Sequence, residues 1–172
     1  MAREFDVFLE TFDAEARRTA DLMRALPHDK YDFRPDPKGR SLGELAWHLS
    51  EIDAYMAHGV SRGGFDGRPQ GIERPRTVAE LAPGFETVHR AASDQLRAMG
   101  DVDWEKTIPF FDGRPISVRR ILWDATIHHA LHHRGQLVLL CRLAGATPPG
   151  LFGPNREETE AFKAARAATQ GV

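Results

Sequence analysis

The chain has one cysteine, Cys141, among 172 residues. It cannot close an internal disulfide, and a thiol-rich metal site has no second sulfur to draw on. Any metal would therefore depend on nitrogen and oxygen ligands. No run of about 18 apolar residues exists, and the N-terminal stretch MAREFDVFLETFDAEARR carries charges where a signal peptide needs an uninterrupted apolar segment. The expectation is a cytoplasmic protein with no membrane partner. A formal net charge of −2 provides no broad basic field, which argues against nucleic acid as a partner. Repeats and low-complexity tracts are absent. No segment of helical length alternates apolar and polar residues as a half-buried strand would.

What is present is helical periodicity. Apolar residues at 41% and charged residues at 28% suit one globular domain over residues 1–172, long enough to bury a continuous core. A first helix is predicted from about Arg3 to Leu26, with Phe5, Phe8, Phe12, Ala16, Met23 and Leu26 on its buried side. PHDKYDFRPDPKGR then reads as a connecting loop. SLGE, Ser41 to Glu44, is a capping box that opens a second helix, whose stripe is Leu42, Leu45, Leu49, Ile52 and Met56. His48 lies beside that stripe, three residues after Leu45 and four before Ile52.

A long Gly-rich crossing, GVSRGGFDGRPQGIERPR, leads to TVAE at Thr77 to Glu80, a second expected capping box. The third helix carries Leu81, Phe85, Val88, Ala92, Leu96 and Met99, and Pro83-Gly84 predicts a kink or a short separate turn near its start. Asp112-Gly113 suits either a small hairpin or a tight loop. Ser117 can cap a fourth helix over about Val118 to Leu143, with Val118, Leu122, Ala125, His129, His133, Gln136, Leu140 and Leu143 on one side. A short final helix follows Asn155 as cap, with Glu157 and Glu158 in its first turn.

The fourth helix contains IHHALHHRGQL, with four of the eight histidines. His129 and His133 stand one turn apart and direct their rings toward one point, as do His128 and His132. Pairs at this spacing are frequent on solvated helix faces. His129 and His133 differ from such pairs by falling on the expected apolar stripe, where an unpartnered imidazole is costly. His48 is the natural third member of the cluster. Three neutral imidazoles can hold a zinc- or nickel-class ion and leave a position open for Lewis-acid chemistry. His132 is an alternative ligand or a supporting group, and Arg134 and Gln136 are either surface residues or substrate contacts. His28, His58 and His89 read as surface or packing residues, and Trp47, Trp123 and Phe152 as core or pocket wall. Glu51 and Asp53 are carboxylates near His48 in sequence, with no direction assigned.

LGELAWHLSEID in the second helix, HHALHHRGQLVLLCRLAG in the fourth and LFGP beyond it resemble the DinB-like family of metal-binding helical bundles. The likeness is most specific in the run formed by His129, His132, His133, Arg134, Gly135 and Gln136. The resemblance implies an all-α, up-down-down-up four-helix bundle with a short extra C-terminal helix, for which the crossing from Gly59 to Arg76 is suitable. It also implies a divalent metal, zinc or nickel, on His48, His129 and His133, and a homodimer. Family members include transferases and isomerases that use bacillithiol, mycothiol or glutathione. The implied function is a metal-dependent transferase that activates a low-molecular-weight thiol against a small electrophilic substrate. Two alternatives stand beside it: a metal-dependent hydrolase with water as nucleophile, and a non-catalytic metal-binding stress-response protein.

Overall fold

The computed structural model describes residues 3–170. α1, Glu4–Arg24, is slightly shorter than the spacing predicts and buries Phe5, Phe8, Phe12, Ala16 and Met23, with Leu26 following into the same core. α2, Leu42–Arg62, opens through the expected capping box: the Glu44 amide donates to Ser41 Oγ at 3.3 Å, and the Ser41 amide donates to Glu44 Oε2 at 2.8 Å. Both donors would otherwise be orphaned at the helix start. The second box does not form. Thr77 spends its hydroxyl on the Glu80 carboxylate instead of accepting from the Glu80 amide, and a 3-10 turn, Val78–Glu80, precedes α3, Leu81–Arg97.

Pro83 sits in the first turn of α3, where a missing N–H costs no intrahelical bond, so the helix runs through it. Gly84 serves close packing: a Cβ there would lie 2.9 Å from the Trp47 ring. Trp47, held against α3, donates its indole N–H to the Ile72 carbonyl at 3.1 Å and pins the long crossing. Asp112-Gly113 resolves as a hairpin. β1, Thr107–Pro109, pairs antiparallel with β2, Pro115–Ser117, and Gly113 takes the left-handed φ of +79° that the turn requires.

The fourth helix, α4, is continuous but not uniform. It comprises an α turn, Val118–Arg120, a π-helical segment, Ile121–His128, and an α-helix, His129–Leu143. The wider turn inserts one residue into the repeat. Downstream, the core face therefore shifts by one position from the predicted stripe, and Thr126, Ile127, Arg134, Leu137 and Cys141 are the buried residues. Gln136 and Leu143 are exposed, and His129, His133 and Leu140 are only partly buried. This corrects the uniform 3.6-residue reading of the fourth helix.

Cross-helix pairs give the directions. Trp47 meets Gly84, Asp53 meets His89 and Ser61 meets Gln95, so α2 and α3 run parallel. Glu4 meets Trp123 and Glu15 meets Arg134, so α1 and α4 are also parallel. Arg24 pairs with Glu86 and Asp13 with Arg97, so α1 and α3 are antiparallel. The result is an up-down-down-up bundle. α5, Arg156–Gln170, is the extra C-terminal helix; Asn155 caps it, accepting from the Glu158 amide at 2.7 Å, and Arg142 of α4 ties it down through Glu157. Phe152 is not wall or core: it is 71% exposed, beneath the guanidinium groups of Arg18 and Arg134. Among the described residues no helix is long and apolar enough to cross a membrane.

Candidate metal centre

α2 and the lower half of α4 meet along a seam where His48, His129 and His133 converge. Their ring centroids are 5.6 Å apart for His48 and His129, 4.8 Å for His48 and His133, and 4.6 Å for His129 and His133. One ring nitrogen from each lies within 4.8 Å of the others. Two of the imidazoles have a further contact that sets their orientation. His48 Nδ1 bonds Glu51 Oε2 at 3.0 Å, and His133 Nδ1 bonds Gln136 Oε1 at 2.7 Å. With Nδ1 of His48 and His133 engaged outward, Nε2 is the nitrogen left for the centre of the cluster.

Nε2 of His129 and Nε2 of His133 face each other at 2.8 Å. Two unprotonated nitrogens at that distance repel unless a proton or a cation lies between them. Burial, followed by the His48 charge, pulls the His129 pKa down; burial also leads in lowering His133, to about 4, with the neighbouring imidazoles adding to it and Gln136 opposing. Both rings are therefore neutral near pH 7, the state in which imidazole ligates a metal. The donor set, three imidazole nitrogens brought together, could hold a divalent metal ion.

The DinB family model matches residues 1–168. The chain belongs to the DinB family. Its fold is similar to that of a DinB-like protein from Bacillus cereus ATCC 10987, known from a crystal structure, at a TM-score of 0.69 and 28% identity over 84% of this chain and 95% of that one. A DinB-like protein of Bacillus subtilis, YjoA, is similar in fold at a TM-score of 0.66 and 22% identity, over 87% of this chain and 98% of its own. YrdA of Bacillus subtilis strain 168, described as uncharacterized, is 25% identical over 163 residues, which span 94% of this chain and 96% of that protein.

The other residues singled out in this DinB chain separate. Gln136 stays with the cluster and links it outward, its amide nitrogen 3.1 Å from Nε2 of the exposed His132. Arg134 turns away to α1, where its buried guanidinium donates to the Glu15 carboxylate and, at 2.9 Å, to the Glu15 carbonyl. His128 is exposed beside Asp124. Burial raises the Cys141 pKa, so that thiol is a core group. Glu51 orients His48, a role its sequence position only hinted at: His48-x-x-Glu51 and His133-x-x-Gln136 share one spacing, and that repetition was the available signal.

His89 takes the packing side of the surface-or-packing reading, against Phe12 and Phe85, and adds a polar network to it. It lies between two carboxylates, Nδ1 2.8 Å from Asp53 and Nε2 3.2 Å from Asp13, and Asp13 also accepts from Ser93 and Arg97. Burial works against its charge, but the two carboxylates outweigh burial and the His89 pKa rises. This ion-paired imidazole ties α1, α2 and α3 together away from the α2–α4 seam.

Proposed function

We propose that this protein, acting as a single DinB-like domain over residues 1–172, is a cytoplasmic metal-dependent transferase that activates a low-molecular-weight thiol toward a small electrophile. The observation that carries the reading is the convergence of three imidazoles, two of them oriented by contacts of their own. His48, His129 and His133 would hold the ion, zinc or nickel by donor chemistry. A divalent ion bound there supplies Lewis acidity, which lowers the pKa of a small thiol enough to ionise it near neutral pH.

The chain's own residues do the positioning. Glu51 and Gln136 hold Nδ1 of His48 and His133, so Nε2 keeps its lone pair directed inward. The lowered pKa values of His129 and His133 prevent protons from competing for those lone pairs. His132, exposed beside His133 with ring centroids 5.0 Å apart, is the residue we assign to contact with the incoming thiol. In the transfer the thiol proton leaves to solvent, a sulfur–carbon bond forms, and the electrophile's leaving group departs with its bonding electrons. Glu51 is committed to His48, which favours this reading over a hydrolase needing a free carboxylate base. Exposed Leu139 and Leu143 of α4 and Phe162 of α5 support the further expectation of a homodimer.

Elemental mass spectrometry of untagged protein purified without chelator, beside His133→Ala, tests the metal. About one zinc- or nickel-class ion per chain is expected, lost in the variant. Consumption of a chromogenic aryl halide should then require both the ion and an added thiol. Absence of metal after loading with zinc or nickel would overturn the site. A loaded protein that is inert toward every thiol and electrophile pair would overturn the transferase and leave metal binding.

A further inference from the structure

The Gly-rich crossing that follows α2 does more than connect two parallel helices. Residues 66–71 of the crossing, with α2 and α3, line an open cleft of about 560 Å³. Small-molecule sites commonly fall at about 300–1,000 Å³, apolar on most of their wall with a few polar groups at defined points. Here Ala54 of α2 and Val88, Ala91 and Ala92 of α3 form the apolar wall, and Arg62 and Arg68 stand at the rim. The cleft shares none of its lining with the three clustered histidines.

Two features of this rim bear on what it could hold. Arg62 and Arg68, like Arg17, Arg40, Arg76 and Arg90 elsewhere, form no ion pair with a carboxylate among the described residues, although Asp66 shares their rim. Second, the crossing turns beside the cleft at two glycines whose backbone disfavours a side chain. Gly67 and Gly71 have φ of +106° and +72°, left-handed values that L side chains rarely adopt, and a Cβ on Gly67 would project to 3.8 Å from His58 Nε2.

We propose that this cleft is a second ligand site, for a small organic anion whose phosphate or carboxylate meets Arg62 and Arg68 and whose apolar body lies on Ala54, Val88 and Ala91. Guanidinium groups suit either head group, because their paired N–H donors match two oxygens of one anion. The apolar wall then distinguishes an organic anion from an inorganic one. This site is independent of the transferase reading, since it uses neither the metal nor the thiol.

Phenyl phosphate and benzoate are the probes, with inorganic phosphate and benzyl alcohol as charge-only and ring-only controls. Amide chemical shifts of the full chain, measured by nuclear magnetic resonance, report the position of binding. Saturable shifts at Gly67 and Gly71 are expected for at least one aryl anion, about tenfold tighter than for either control, if charge and apolar contact both contribute. Arg62→Ala combined with Arg68→Ala should weaken that binding about tenfold or more, in keeping with loss of charge-assisted hydrogen bonds. Ala91→Phe, an exposed position that fills the cleft without entering the core, should abolish it. The tighter of the two anions identifies the head group. The proposal is overturned if neither aryl anion saturates, if the shifts centre on His129 and His133, or if binding survives both variants.

Discussion

α2 and α4 supply the clustered histidines, and they differ in how they aim them. α2 is a regular α-helix from Leu42 to Arg62, so His48, Glu51 and the Leu45, Leu49, Ile52 stripe stand where a period of 3.6 puts them. α4 widens to π geometry over Ile121–His128, immediately before His129. The added residue moves the core face from the line of His129 and His133 to the line of Arg134, Leu137 and Cys141. His129 and His133 are thereby rotated out of the core and toward the α2 seam. A π turn replaces i+4 amide donors with i+5 ones, and the Thr126 hydroxyl adds a bond to the Ile121 carbonyl at 2.8 Å. The irregular helix thus contributes the position of its histidines.

The largest effect that separates the two helices should come from Arg134, the charged residue that the shifted register buries. Arg134→Ala leaves the Glu15 carboxylate with only the part-exposed Arg18 as partner and should cost about 3 kcal/mol, read by chemical denaturation. A loss under about 1 kcal/mol would place this pair with weak surface pairs and undo the register account.

The supporting contacts offer a test of symmetry across the seam. Glu51→Ala on α2 and Gln136→Ala on α4 should each weaken metal affinity about 10- to 100-fold in chelator competition, with all three histidines in place. Unequal losses would show which helix holds its imidazole more firmly by packing alone.

The opposite face of α2 carries a pH-dependent tie. His89 has a raised pKa in the folded state, so its contribution to stability is complete below its ordinary value of 6.5 and fades as pH rises through the raised one. Asp13 behaves oppositely: its pKa is lowered although burial opposes this, and its contribution fades as acid brings pH down through the lowered value. Denaturation from pH 6 to 9, wild type against His89→Gln, should show a difference that shrinks with rising pH, by at most about 1.4 kcal/mol per pH unit for one proton. A difference that is constant across that range would exclude the charged imidazole. The smallest effect is Ser41→Ala, expected to cost about 1 kcal/mol through loss of the α2 cap.

Local chemistry written in neighbouring residues was legible: the helical periods, the Ser41–Glu44 box, the Asn155 cap, and the placement of His48, His129 and His133 as candidates. These depend on contacts three or four residues apart, which side-chain type and spacing specify directly. The π segment was not legible, because a one-residue change in hydrogen-bond register has no required Gly or Pro and shows only in which face the bundle buries. The Asp13–His89–Asp53 bridge was equally hidden, since it joins residues 76 and 36 positions apart. Sequence by itself determined the helices and the donor atoms available to a metal. The packing of α4 against α1 and α2 decided which of those atoms converge, because burying Leu137 and pairing Arg134 with Glu15 constrain the rotation of the helix that carries two of the three imidazoles.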